Sequence, residues 1–326
     1  MSRARDLADR VLHNRTHEDT DGGRESIVTF KGEQSGGEIS TLAQIQASHD
    51  GTADDQKADL IFKTNDGSDN NAPTERLRID SNGSILTATL GTDNVHLGEG
   101  AGEAIVSGGN QNTLIGKDAG TALTTGDANV IVGHSAGDAL TDADYNVAIG
   151  FGALSSDTKG DRSVAIGLNA LTTQNHTSVT TTNNTVVGDN AGYAVTTGKN
   201  NTLFGTKVGD ALTTGNSNVA VGGDGTYAAL GSDTQGKFTT AIGLGALRAQ
   251  NFTSDTATNN TAVGYFAGGV MTTGTANTFI GGNAGDDCVD GIQNVAVGYA
   301  ALSADAGSNN TAVGESALTS TTGASN

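Results

Sequence analysis

The sequence contains no tryptophan, one proline and one cysteine, and aromatic residues make up only 4% of its 326 residues. The single cysteine, Cys288, excludes an intrachain disulfide framework, and its place in the repeat described below predicts a small buried hydrophobic side chain. With 48 glycines and few bulky apolar residues, the chain cannot build an ordinary globular core. No run of about 18 apolar residues occurs, so no membrane-spanning helix is predicted.

Positive charge is also scarce, because 17 lysines and arginines face 36 aspartates and glutamates, for a formal net charge of −19. The acidic residues are spread along the chain, which therefore lacks the basic patch that nucleic acids or anionic membranes require. The first residues, MSRARDLADRVLHNR, lack the apolar core of a secretory signal, so export by that route is not expected.

What the sequence does contain is a five-residue motif, first clear as NTLIG at residues 112–116, that recurs towards the C-terminus. Its terminal glycines are Gly98, Gly116, Gly133, Gly150, Gly167, Gly188, Gly205, Gly222, Gly243, Gly264, Gly281, Gly298 and Gly314. Most spacings are 17 residues and three are 21, so thirteen units share one period with occasional four-residue insertions. Such a period predicts a solenoid. Residues 165–205 and 241–281 are alike at an offset of 76, which indicates duplication of a four-unit block.

Each unit predicts a short strand with two apolar faces. The residues one and three before the glycine are large or β-branched, and we expect this pair to point inward and close the coil. The residue between them is often alanine and would then face outward. Because a thin coil can cover only one face, the second face predicts packing against identical chains. Another apolar residue seven positions after the glycine completes an expected coil of two short strands and two turns.

An asparagine stands four residues before the glycine in eleven of thirteen units, with Ser163 and Thr239 as the exceptions. Stacked coils would align these amides into a hydrogen-bonded ladder, and a row of glycan-binding side chains is the alternative. The predicted ladder consists of Asn112, Asn129, Asn146, Asn184, Asn201, Asn218, Asn260, Asn277, Asn294 and Asn310.

Two further regions precede the repeats at residues 94–326. Residues 1–24 predict an amphipathic helix or extended arm, and Arg3, Arg5, Leu7, Val11 and Leu12 are candidates for anchoring it in a larger assembly; the alternative is a frayed terminus. Residues 25–93 show strand patterns at 26–30, 39–47, 58–64 and 75–80, separated by Gly and Asp-Gly turns. They predict a small antiparallel module, a β-sandwich or β-prism.

Catalytic patterns are poor. The densest acidic pairs, Asp142 with Asp144 and Asp286 with Asp287, fall in predicted exposed turns, where solvated side chains are expected. The histidines share no metal-binding spacing, and His13 with His17, four apart on the possible helix, lack a third ligand. We therefore expect no enzyme activity, no metal and no cofactor.

The units of the form N-[VT]-A-[IV]-G-x-x-A-L resemble the head repeats of trimeric autotransporter adhesins, which implies parallel β-rolls packed as a threefold bundle. They are also similar to repeats of phage tail-fibre proteins. MSRARDLAD at residues 1–9 resembles the start of marine phage and cyanophage fibre and appendage proteins, and PTERLRIDSNGSI at 73–85 is similar to the segment preceding many fibre shafts. The adhesins' secretion signal, stalk and membrane anchor are missing, which favours a virion over a bacterial surface.

The resemblance and the repeat together predict an all-β, non-enzymatic virion protein with a β-solenoid shaft. We expect a homotrimeric tail fibre or similar appendage that contacts other virion proteins through its N-terminus and mediates attachment to a host glycan or envelope protein, without nucleic-acid binding or membrane insertion. The alternative is a decoration or connector fibre of the capsid or neck that binds no receptor. A bacterial surface adhesin and a polysaccharide depolymerase are further alternatives.

Overall fold

A computed structural model describes residues 25–33, 39–49, 58–65, 72–82, 85–87, 91–304 and 306–320. The chain divides into two compact units, Met1–Thr89 and Leu90–Asn326. The predicted anchor residues Arg3, Arg5, Leu7, Val11 and Leu12 lie outside the described residues. In the described part of the chain, no helix is long and apolar enough to cross a membrane.

The first unit contains one antiparallel sheet in the order β1-β2-β3-β4-β5. Its strands are β1 Ser26–Glu33, β2 Ile39–His49, β3 Ala58–Thr64, β4 Thr74–Ile79 and β5 Ile85–Thr87. The predicted strand at 58–64 has these bounds, the other three differ at their ends, and β5 was not predicted. The described residues of this unit form a single sheet and not two packed ones.

The two faces of this sheet differ in polarity. Pairing places Val28 opposite Ile45 and Ile45 opposite Phe62, so one face carries a cross-strand apolar row. The opposite face is mixed: Arg78 forms ion pairs with the buried Asp59 and with Glu75, and the buried Ile61 pairs with Arg78 across the strands. The hydrogen bond to Glu75, opposed by burial, raises the pKa of Arg78 above its ordinary value.

The second unit is a parallel β-solenoid, which confirms the predicted fold. Its main sheet has thirteen strands, one per repeat, and each pairs in register with the next coil. These strands are β6 Val95–Leu97, β7 Thr113–Ile115, β8 Val130–Val132, β9 Val147–Ile149, β11 Val164–Ile166, β13 Thr185–Val187, β14 Thr202–Thr206, β15 Val219–Asp224, β17 Thr240–Ile242, β19 Thr261–Val263, β20 Thr278–Ile280, β21 Val295–Val297 and β22 Thr311–Val313.

The prediction of which strand face points inward was wrong. The middle residue of the three-residue motif is buried in every coil except the first, where His96 is half-buried, and the residues on either side of it point outward. The buried middle residues are Leu114, Ile131, Ala148, Ala165, Val186, Leu203, Ala220, Ala241, Ala262, Phe279, Ala296 and Ala312. The outward face is therefore the half-buried or exposed one in the described chain.

Strand parity explains this orientation. Counted from the repeat glycine as position 0, the asparagine is at −4 and the middle residue at −2. Since side chains two apart in a strand point to the same side, all three residues lie on one side of the chain. The glycine is required there because neighbouring coils approach closely: a Cβ on Gly116, at φ 131°, would lie 2.6 Å from the Gly133 carbonyl oxygen.

A second strand in every coil was also predicted and is not found. Outside the main sheet, the described residues of this second unit form only two parallel pairs of two-residue strands, next to the insertions. They are β10 Gly160–Asp161 with β12 Thr180–Thr181, and β16 Gly236–Lys237 with β18 Thr256–Ala257. Elsewhere the far side of the coil is built from turns with left-handed residues, such as Asp118 at φ 56°, which interrupt extended structure.

The coil interior is filled by complementary pairs of residues. Where the middle residue is large, as in Leu114, the position four after the glycine is itself glycine, Gly120, and a Cβ there would lie 3.1 Å from Leu114. Where the middle residue is Ala148, that position holds the buried Leu154 in a left-handed conformation. Six alanine coils use such a leucine: Leu154, Leu171, Leu230, Leu247, Leu302 and Leu318. The seventh alanine coil, that of Ala262, has Gly268 at this position instead, and side chains of the neighbouring coils, Leu247 and Phe279, lie against it. Volume is therefore exchanged both within a coil and between adjacent coils.

The choice between glycine and leucine four positions after the repeat glycine also decides which residue is buried seven positions after it. Glycine coils place an apolar residue seven positions after the repeat glycine, and Leu123, Met271 and Cys288 are fully buried there, as predicted. In leucine coils the leucine four positions after the glycine already fills this space, and the buried residue seven positions after the glycine is polar, as in Asp157 and Gln174.

Candidate functional site

The asparagines four before each glycine join neighbouring coils. Oδ1 of Asn112 accepts a hydrogen bond from the backbone N–H of Asn129 at 2.9 Å, and its Nδ2 donates to the carbonyl oxygen of Gly126 at 2.8 Å. The same two bonds recur at Asn129 and Asn201. All ten predicted asparagines are buried, so they cannot form a glycan-binding row.

The ladder changes at the two coils that carry Ser163 and Thr239 instead of asparagine. There the buried carboxylate of Asp157 accepts hydrogen bonds from Gln174 Nε2 at 2.6 Å and from the His176 backbone N–H at 2.8 Å. Gln174 also donates to Ser163 and accepts from Asn184 at 2.7 Å. A buried network of side chains thus replaces the single missing amide.

A twin of this network lies 76 residues later. Asp233 accepts from Gln250 at 2.6 Å, and Gln250 in turn bonds Thr239 and Asn260. Where the first network has His176, the second has Phe252. The sequence analysis missed both networks, although each replacement of the ladder asparagine is followed by a 21-residue spacing that could have indicated them.

The predicted acidic pairs have structural explanations. Asp144 Oδ1 accepts a hydrogen bond from the backbone N–H of Asp127 at 2.8 Å, and Asp161 Oδ1 accepts from Asp144 at 2.9 Å, so these aspartates form a second ladder at the turn. Asp142 pairs with Lys159 at 3.3 Å. The geometry of Asp142 and Asp144 therefore supports coil stacking and not general acid–base chemistry.

The second acidic pair belongs to a column of turn residues five positions after the glycine. Burial raises the pKa of Asp286, with the Asp287 charge as a smaller contribution. Burial also raises the pKa of Asp138 and Asp210, which occupy the same column in other coils. Since three coils share this shift, it follows from the burial that the coil geometry imposes at this position.

The histidines are dispersed through the fold. His49 lies in β2, His96 in β6, and His134 stacks on Phe151 with ring centroids 5.2 Å apart. His176 Nδ1 lies 3.5 Å from Asp157 Oδ2. Among the described residues, no group of three or more His, Cys, Asp or Glu side chains could hold a metal ion. His13 and His17 lie outside those residues.

The outer face of the solenoid sheet runs along all thirteen strands of this unit. It carries two columns of outward residues, one and three positions before the glycine. The first column is Leu97, Ile115, Val132, Ile149, Ile166, Val187, Phe204, Val221, Ile242, Val263, Ile280, Val297 and Val313, and the second alternates irregularly between valine and threonine. Phe204 is 57% exposed and Ile280 42% exposed. In the described chain this apolar column therefore contacts water.

The size of the outer face can be estimated from strand geometry. Thirteen strands at about 4.8 Å per step span roughly 60 Å, and two outward residues with their side chains cover about 10 Å. The resulting area of roughly 600 Å² is at the top of the range that monomers expose and approaches the ~800 Å² per partner of a standard interface.

No family model, curated protein or solved structure matches this chain.

Proposed function

We propose that the protein is a non-enzymatic structural fibre of a virion, assembled as a homotrimer, that attaches the particle to its host. The observation that supports the assembly is the outward apolar column along all thirteen strands, in which six members are exposed and the other seven half-buried; the exposed ones are Leu97, Ile115, Phe204, Ile242, Ile280 and Val313. Burying it against identical columns would remove apolar surface from water at about 25 cal/mol per Å². The threefold order and the virion context come from the resemblance of the repeats and of residues 1–9 and 73–85.

The mass of the purified full chain tests assembly. Light scattering should give about 98 kDa, three copies of the 32.6 kDa chain. Ile166→Glu places a charge on the outward column without entering the coil, and it should release monomers that keep their β-sheet circular dichroism. Thr125→Glu adds the same charge at an exposed turn and should remain a trimer.

Two outcomes would overturn the trimer: a wild-type protein of 32.6 kDa with intact β-sheet signal, or an Ile166→Glu variant with the mass of the wild type. A stable dimer would retain the assembly surface but refute the threefold order.

Attachment is tested separately from assembly. Purified trimers added to host cells should compete with particles that carry this protein and reduce their adsorption, because a stiff threefold rod presents weak binding surfaces in several copies. Normal adsorption at saturating protein would instead favour the connector fibre, which holds the particle together and binds no receptor.

A further inference from the structure

The third four-residue insertion differs from the two that accompany the buried networks. In ordinary coils, a backbone N–H three residues after the glycine donates to its carbonyl, as Ala246 does to Gly243 at 3.1 Å. In the Gly222 coil, Ala229 is the donor, seven residues on, at 2.8 Å. The coil is therefore closed as usual, and the four extra residues form a loop on its outside.

This loop has a defined conformation. Asp224 Oδ1 accepts hydrogen bonds from the backbone N–H groups of Thr226 and Tyr227, each at 2.8 Å. The Tyr227 ring then lies 5.5 Å from the Arg248 guanidinium carbon, and the Phe266 ring lies 5.1 Å from the same carbon. The two rings hold Arg248 in place through cation–π contacts.

A cleft of about 210 Å³ opens beside the loop. Its lining includes Lys207, Asp210, Thr226, Ser232, Gly231 and Arg248. Asp210, Gly231 and Arg248 occupy equivalent positions in three successive coils, so the two charged residues are about 10 Å apart along the stack. Gly231 contributes no side chain between them, and this leaves room for a ligand.

Within the described residues neither cation of the cleft forms an ion pair, although the Lys207 charge partly offsets the burial that raises the pKa of Asp210. Neither Lys207 nor Arg248 has a carboxylate oxygen within 4.0 Å in the described ranges. The Arg248 Nε–H is buried and lacks a hydrogen-bond acceptor among these residues. A ligand in the open cleft cannot reach this buried atom, so a carboxylate would instead pair with the terminal guanidinium nitrogens of Arg248.

The remaining polar groups narrow the ligand class. Asp210 would repel a compact anion such as phosphate, but its oxygens can accept hydrogen bonds from ligand hydroxyls, and Thr226 and Ser232 can donate or accept. The volume is below that of drug-sized sites and suits a single sugar ring. A ligand that combines one carboxylate with several hydroxyls satisfies both the cations and the acceptors.

We propose that this cleft binds a carboxylate-bearing sugar unit of a surface glycan, with Arg248 and Lys207 on the carboxylate and Asp210, Thr226 and Ser232 on the hydroxyls. This inference rests on the proposed attachment function, for which it names a ligand class. A flat apolar sheet face cannot select a sugar, whereas paired charges and hydroxyls in a cleft can.

Isothermal titration of the full-length protein with a glucuronate-containing oligosaccharide tests the proposal. We expect binding at least tenfold tighter than to the matching oligosaccharide in which glucose replaces glucuronate, and no competition by inorganic phosphate at equal concentration. Arg248→Gln should weaken binding at least tenfold. Arg162→Gln is the matched control, because the Arg162 guanidinium carbon also lies over an aromatic ring, 4.7 Å from the centroid of Tyr145, but in another coil. This variant should bind as the wild type does.

Gly231→Thr tests the cavity without removing a charge. Its Cβ would lie 3.3 Å from the Ala228 Cβ, and threonine occupies the equivalent position in other coils, at Thr121 and Thr172. This variant should fold with wild-type circular dichroism and lose binding. Equal affinity for the glucose compound, displacement by phosphate, or full binding by folded Arg248→Gln would each overturn the proposal.

The two proposals can fail independently. If Arg248→Gln trimers still block particle adsorption as strongly as the wild type, the cleft is not the attachment site but attachment itself stands. If the wild-type protein binds the glucuronate compound and never blocks adsorption, the cleft proposal stands and host attachment is refuted.

Discussion

The asparagine ladder predicts a large penalty for a conservative change at one position, Asn201→Ala. Asn201 is fully buried, its Oδ1 accepts from the Asn218 backbone N–H at 3.0 Å, and its Nδ2 donates to the Gly215 carbonyl at 2.9 Å. Alanine removes both side-chain partners and leaves one backbone donor and one acceptor buried. At about 1–3 kcal/mol for each unsatisfied group, the local cost is roughly 2–6 kcal/mol.

Hydrogen exchange is the appropriate assay, because a repeat array can open locally without unfolding as a whole. Peptides covering residues 201–218 should exchange about thirtyfold to 10⁴-fold faster in Asn201→Ala, since each 1.4 kcal/mol is a factor of ten. Peptides several coils away, such as those covering 295–313, should change little. The midpoint of urea unfolding should also fall.

Thr214→Ala is the control. Thr214 is exposed and directly precedes Gly215, so its truncation removes a side chain of the same turn without removing a ladder bond. Its exchange should stay within about twofold of the wild type. If Asn201→Ala and Thr214→Ala behave alike, the ladder does not contribute to stability, and the burial of these amides would need another explanation.

Two further predictions concern the coil interior. Ala148→Leu should destabilise the solenoid by about 1–3 kcal/mol through overpacking against Leu154. Adding Leu154→Gly recreates the pairing seen in glycine coils and should recover at least half of the loss in urea midpoint. If the losses of the two single variants simply add in the double variant, volume exchange is refuted. For Asp157, burial acts to raise the pKa, but contacts from His176 and hydrogen bonds from Gln174 outweigh it, so the pKa lies below its ordinary value. The stability this carboxylate contributes is thus present above the unfolded pKa, about 3.9, and is lost as the pH falls through the lower folded pKa. Asp157→Asn should therefore be less stable than the wild type at pH 7 and should lose less stability on acidification below about pH 4. If the urea midpoints of the two proteins follow parallel curves against pH, this explanation is contradicted.

The sequence predicted the solenoid because its period is a property of one-dimensional stacking. Thirteen glycines in register define thirteen coils before any side-chain contact is known. Assigning the inward face from residue size gives the wrong answer, because the large β-branched residues of the motif point outward. The alternation of side chains along the strand gives the correct face when it is counted from Asn112 and Gly116. Both lie on the inner side, because Asn112 bonds the next coil and Gly116 approaches it closely.

Other features could not be obtained from a single unit. The left-handed leucines, such as Leu154, occur only where the middle residue is alanine, and this dependence appears only when the two positions are compared across coils. Leucine is strained at positive φ, so propensity argues against the observed turn. The interior volume of the coil overrides that preference, and it is a tertiary quantity.

The three insertions show how position within the unit decides the consequence of added length. Two of them precede Asn184 and Asn260, on the inner side of the chain, and the extra residues are accompanied by buried polar networks around Asp157 and Asp233. The third follows Gly222, where the chain turns outward, so its residues leave the coil and form the wall of a cleft. An array whose interior volume is fixed can add residues without loss of stacking only by satisfying new polar groups inside or by extending outward. The insertions before Asn184 and Asn260 also add exposed residues, at 177–179 and 253–255, so all three insertions change the outer surface and the one after Gly222 lines a cleft as well.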